Sequence, residues 1–121
     1  MRREEIKGII LNHINEQNHV TYVELERLFQ ERGYNYKGTY DILSEKSDHV
    51  LFWSGWNKET IELINELQEE KKIHKEPAQF ITYLIDGGGM NLPLVKTARE
   101  YKRDHWLPVV FCKGPQEVHN G

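Results

Sequence analysis

The stretch that most constrains this chain runs from Asn57 to Val95, where an amphipathic helical pattern feeds into a run of strand-forming residues and a glycine cluster. Asn57 is a good N-cap, and Glu59 suits the positive end of the helix dipole. Ile61, Ile64 and Leu67 recur at helical spacing with Leu63 beside them, so a helix from Asn57 to about Lys72 presents one apolar stripe. After Lys71-Lys72, Ile73 returns to apolar character. Phe80-Ile81-Thr82-Tyr83-Leu84-Ile85 is rich in β-branched and aromatic residues and is expected to form a strand. Asp86-Gly87-Gly88-Gly89 is expected to turn the chain, because glycine tolerates the positive φ of tight hairpins, and Leu92 to Val95 to return as the partner strand.

A chain of 121 residues is long enough to bury one core without staples. Its 38% hydrophobic and 29% charged residues are those of a soluble globular domain, and a mean hydropathy of -0.71 implies a large solvated surface. Cys112 is the single cysteine and cannot form an internal disulfide, so a reducing cytoplasm is the expected compartment. No apolar run approaches the roughly 18 residues of a membrane span, and Met1-Arg2-Arg3-Glu4-Glu5 lacks the apolar core of a signal peptide.

Taken in order, Ile6, Ile9, Ile10 and Ile14 line one side of a helix from about Arg3 to Asn15. His19-Val20-Thr21 is short enough for a small strand. Thr21 and Glu24 have the spacing of a capping box that opens a second helix, with Leu25, Leu28 and Phe29 inward and Gly33 at its left-handed C-terminal cap. Tyr34 to Gly38 is expected to turn, and Thr39 to cap a short third helix through about Lys46 that buries Tyr40 and Leu43 or Ile42. Val50 to Trp53 reads as a buried strand ending at Ser54-Gly55. His105 to Cys112 reads as a final strand, with Pro108 making it an edge or delaying its start.

The order helix, short strand, helix, short helix, strand over roughly residues 3 to 53 resembles the winged helix-turn-helix family. That resemblance implies an α+β fold: three to four helices, a small antiparallel sheet and a β-hairpin wing. The domain is expected over residues 1–113, with 114–121 as a loose tail. In an alternative register, Asn57 to Lys72 is the recognition helix and Ile73 to Val95 the wing.

For such a domain the natural partner is DNA, read by a helix in the major groove while cations contact phosphates. The Asn57 to Lys72 helix exposes Glu59, Glu62, Glu66, Glu69 and Glu70, whose like charge against phosphates rejects it as a groove reader. The short helix offers Lys37, Thr39, Ser44 and Lys46, with Tyr34 and Tyr36 able to reach phosphates or sugars or else to pack the turn. The strongest electrostatic feature is Lys96, Arg99, Lys102 and Arg103. Residues 1–90 carry 11 basic and 16 acidic groups, net -5, whereas 91–121 carry 5 and 3, net +2. A small nucleic-acid-binding or regulatory protein of bacterial or phage type follows, with Tyr36, Lys37, Thr39, Lys46, Lys96, Arg99, Lys102 and Arg103 as contacts. The other reading is a non-enzymatic interaction module whose acidic helix or hairpin edge meets a protein partner or a second copy.

Trp53, Trp56 and Trp106 are expected mainly in the core, with Trp56 the one suited to exposure. Asp86 with Glu100-x-Lys102 has the residue types of a metal-dependent nuclease, but Glu5-x-Lys7, Glu69-x-Lys71 and Glu70-x-Lys72 repeat the pattern by composition alone. The six histidines show no paired zinc spacing, and Cys112 in an apolar strand suits an inert thiol. No catalytic residue, metal, cofactor or small-molecule substrate is expected.

Overall fold

The computed structural model describes residues 2–97 and 99–117. Ile6, Ile10 and Ile14 recur about one turn apart on α1 (Arg3–Gln17), and all three are fully buried. Asn18 and His19 then take left-handed conformations, φ 50° and 54°, that swing the chain into Val20. The Thr21 hydroxyl accepts the Glu24 amide at 3.0 Å and starts α2 (Tyr22–Glu31), whose Leu25, Leu28 and Phe29 face the core. The Glu24 carboxylate turns to His13 Nε2, 2.7 Å away. Gly33, at φ +68°, closes the helix as expected.

The first correction falls on residues 39–46. They form strand β1 (Lys37–Ser44) and the turn of a hairpin with β2 (Ser47–Trp56), where a short helix was expected. Thr39, Tyr40 and Ile42 prefer an extended backbone, and across the hairpin Ile42 faces Trp53 and Tyr40 faces Trp56. Tertiary pairing thus overrides a weak cap at Thr39. A Cβ on Gly38 would stand 2.6 Å from the Trp56 carbonyl and from Asn57 Cα, so only glycine lets β1 begin against the next helix. Trp56 is also corrected: it is fully buried, not exposed.

Asn57 caps α3 (Lys58–Glu69) as expected, accepting the Thr60 amide at 2.9 Å, and Leu63, Ile64 and Leu67 bury the apolar stripe. Each such side chain contributes about 1.5–3 kcal/mol of burial. Strand β3 (Ile73–Pro77) follows.

The second correction is the wing. Residues 80–86 are a helix, α4 (Phe80–Asp86), not a strand. Gly87, at φ +126°, ends it, and the amides of Gly87 and Gly88 both return to the Tyr83 carbonyl at 3.1 and 2.9 Å. The glycine run therefore caps a helix rather than turning a hairpin. Leu92 to Val95 does not pair back to it; Leu94 makes a single parallel bridge to Trp106. The expected final strand divides at Leu107-Pro108 into β4 (His105–Trp106) and β5 (Val109–Lys113), the second starting after the proline as its missing donor requires.

β4 pairs in parallel with β2, giving a sheet of order β1-β2-β4. β5 pairs antiparallel with β3, and Val20 bridges Phe111 from the other side. The small sheet Val20-β5-β3 packed with α1, α2 and α3 is winged-helix-like, and with four helices the domain is α+β. The β1–β2 hairpin sits between α2 and α3, so the expected helix-turn-helix pair of α2 with a short helix at residues 39–46 does not form. The alternative register describes the chain better through β3, but its return strand is β5. Of the expected tail, 118–121 lies outside the described residues, while Gly114 is tied to Lys72 through a 2.8 Å backbone bond. No described helix is long and apolar enough to cross a membrane.

Candidate functional site

The helix that replaced the expected strand carries an unusual surface. Tyr83 is its inward residue, fully buried, its hydroxyl donating to the Val109 carbonyl at 2.5 Å and accepting the Tyr22 amide at 3.3 Å. At the helix end Asp86 accepts the Thr21 hydroxyl at 2.6 Å, and its carbonyl accepts Arg27 Nη2 at 3.0 Å. With that side fixed, Phe80 and Ile81 are each 46% exposed, Leu84 53% and Ile85 79%. A single exposed leucine needs no explanation, but four large apolar side chains on seven residues form a patch.

The patch opens into a cavity of about 400 Å³ lined by Phe80, Leu84, Met90, Leu92, Leu94 and Trp106. Its walls continue at both ends. Gly89, Met90 and Asn91 also border a depression that reaches Lys37, and Leu94 also borders one that reaches Lys96 and Arg99. Glu26 is the carboxylate lining this run, and its Oε2 accepts both the Trp53 and Trp56 indole N–H groups at 2.8 Å. A shallow, mainly apolar groove thus runs between exposed cations.

Tyr101 organises the cationic end. Its oxygen accepts the amides of Lys96 and Thr97 at 3.1 and 3.2 Å, and its hydroxyl donates to the Thr97 carbonyl at 3.0 Å. The accepted amide bonds, Thr97 first and then Lys96, stabilise the phenolate and bring the phenol down to about 8. The Arg99 guanidinium lies over the Tyr101 ring at 4.8 Å, whose other contact is His105, 3.9 Å between centroids.

The other expected contacts are dispersed. Tyr36 is buried against Phe29 and Trp56 and accepts a bond from Gln30, so it belongs to the core rather than to a base-reading surface. Lys37 and Thr39 are exposed on β1, and Lys46 is exposed at the hairpin tip beside a hollow bordered by Glu69 and Lys75. Lys102 and Arg103 are exposed just before β4. Two of the acids along α3 and its C-cap are met by α1: Glu66 accepts from Arg3 Nη1 at 3.0 Å and Lys7 at 3.2 Å, and Glu70 from Lys7 at 3.1 Å, whereas Glu59 accepts from the Tyr34 hydroxyl at 2.8 Å and Glu62 lies 3.9 Å from Lys58. Asp86 of the suspected nuclease set is occupied by Thr21 and Arg27.

The α4 surface was missed because Phe80 to Ile85 was read by strand propensity. Its signal was present: positions 80, 81, 84 and 85 repeat at helical spacing with no charge among them. Comparison of the chain with protein-family models, with curated proteins and with solved structures finds no match.

Proposed function

We propose that this protein is a non-enzymatic, winged-helix-like interaction module of the reducing cytoplasm. It docks a partner segment that is amphipathic, with apolar anchors and acidic flanks. The observation that carries this reading is the exposed face of α4 continuing into a shallow, mainly apolar groove with Lys37 at one end and Lys96 and Arg99 at the other. Apolar anchors in such a groove supply affinity, and the flanking charges set orientation and suppress wrong partners. Glu66 and Glu70, already paired with Arg3 and Lys7 of α1, do not enter the contact.

A second reading, nucleic-acid binding, is favoured by one observation: Lys96, Arg99, Lys102 and Arg103 are all exposed within one short segment. Lys37, Thr39 and Lys46, on the β1–β2 hairpin, would be separate contacts.

The test is selection from a displayed random peptide library on the immobilised protein, scored against Leu84→Asp and against Lys96→Glu with Arg99→Glu. Peptides with apolar residues at helical spacing and Asp or Glu flanks are expected, losing at least roughly tenfold in affinity on either variant. Peptides that bind Leu84→Asp equally well would overturn the assignment of the groove. A wild-type dimer dispersed by Leu84→Asp would make the occupant a second copy and overturn the foreign partner. Salt-dependent binding of duplex DNA, abolished by changing Lys96, Arg99, Lys102 and Arg103 to Ala, with no peptide enriched, would replace the proposal with the second reading.

A further inference from the structure

On the sheet formed by Val20, β5 and β3, strand alternation sorts the side chains by face. Phe111 and Val109 point to the core with Val20, whereas Cys112 lies on the opposite face. Cys112 is directly across from His74, and Glu76 follows two positions on, so all three share that face. On the other flank, Asn18 accepts the Lys113 amide at 2.9 Å and holds residues 18–20 alongside β5, which brings His19 to Cys112. One ligand atom each from His19, Glu76 and Cys112 lies within 4.8 Å of the others.

We propose that His19, Glu76 and Cys112 form a binding site for zinc or a zinc-like divalent transition metal. The donor set selects the ion: a thiolate and an imidazole exclude magnesium and calcium, whereas zinc takes sulfur, nitrogen and carboxylate oxygen together. Bonds of about 2.0–2.3 Å in a tetrahedron place ligand atoms roughly 3.3–3.8 Å apart, so these atoms close by about 1 Å on binding, within the reach of the exposed His19 ring. Cys112 is a free thiol whose sulfur lies beside the Glu76 carboxylate. When the metal–sulfur bond forms, the thiol proton leaves to solvent and a Glu76 oxygen takes the ion. One thiolate and one carboxylate against a dication leave the centre without net charge, as a half-buried site requires.

His74 is the positioning residue. Its Nδ1 is 2.9 Å from the Gly114 carbonyl and its Nε2 2.8 Å from Glu76 Oε2, so it aims the carboxylate while leaving the second oxygen for the metal. Three protein ligands leave a fourth position for water or a donor from a partner. The ion would join the α1–α2 connection, β5 and β3. No sequence spacing announces such a site, since its ligands come one from each.

Chelator-treated full-length protein titrated with cobalt(II), and separately with zinc, tests this. One equivalent is expected to bind, with a thiolate-to-cobalt charge-transfer band in the near ultraviolet and a rise in melting temperature with zinc. Cys112→Ser should abolish the band, His19→Ala should weaken binding at least tenfold, and His74→Ala should weaken it about 10–100-fold while keeping the band. His49→Ala, at an exposed histidine elsewhere, should change nothing. Absence of the charge-transfer band in wild type, or affinity unchanged by His19→Ala, would overturn the site. His19 is exposed, so that variant keeps the test decisive even if Cys112→Ser does not fold.

Discussion

The Thr21 hydroxyl donates to the Asp86 carboxylate at 2.6 Å while accepting the Glu24 amide at 3.0 Å. One buried side chain therefore starts α2 and anchors the end of α4. Thr21→Val keeps the shape and removes both bonds, and is expected to cost about 1–3 kcal/mol in urea unfolding, with Thr21→Ser retaining most of it. Because α4 is held here, Thr21→Val should also make the Phe80–Ile85 segment more susceptible to limited proteolysis at temperatures where the rest of the fold persists.

Glu26 collects two indole N–H groups on one oxygen. Glu26→Ala strands both buried donors of Trp53 and Trp56, for an expected loss of about 2–5 kcal/mol, with a changed near-ultraviolet circular dichroism from the same rings. Glu26→Gln, which keeps an acceptor, should lose less.

Tyr22 is the opposite case. Its ring is fully buried between Trp53, Trp56 and Phe111, yet its hydroxyl has no hydrogen-bond partner among the described residues. Tyr22→Phe removes a desolvated group without removing a contact, and should be neutral or stabilising by about 1 kcal/mol in the same assay.

Bonds from Arg3 and then Lys7 pull the Glu66 carboxyl down to about 2. A folded pKa below the unfolded one gives stability that is complete above about 4.5 and is lost as pH falls toward 2. Unfolding followed across that window should therefore show an acid limb that flattens in Glu66→Gln. The same variant should show its cost in full near pH 7, where the contribution is complete; that cost and the acid limb are both smaller in high salt, which screens these partly solvated pairs.

Tyr101 predicts a signal at the other end of the scale. Its phenol should ionise near pH 8 in a difference-absorbance titration, ahead of Tyr22 and Tyr83, which burial holds well above the ordinary value. Here too the folded pKa is depressed, so its contribution to stability grows as pH rises from about 8 toward 10. Tyr101→Phe should remove that step.

Helices α2 and α3 were legible because each announces itself twice, by a cap and by a stripe, Thr21 with Leu25, Leu28 and Phe29 and Asn57 with Leu63, Ile64 and Leu67, whereas α1 was legible by its isoleucine stripe alone. Residues 39–46 and 80–85 were misread because eight or six residues are too few for periodicity to separate helix from strand; the weak cap at Thr39 filled the gap in the first case and strand propensity in the second. The glycines after Asp86 fit a hairpin and a helix cap equally well on local chemistry, and only the Tyr83 contact with Val109 decides between them. Lys96 and Arg99 were visible as a charge cluster. The mainly apolar groove they border depends on Leu94 meeting Trp106, a contact that no local pattern encodes.

Asn18 and Lys113 join across 95 positions of sequence, and the central strand of the small sheet is the last to be made. During synthesis α1, α2 and α3 leave the ribosome before β5, so the small sheet they pack on cannot close until residues 109–113 have emerged. Closure of so long a loop favours folding on the order of milliseconds to seconds over the microseconds of a local helical bundle. Over that interval the nascent chain is at its most adhesive, and a chaperone, or an early encounter with whatever the finished surface binds, has its opportunity.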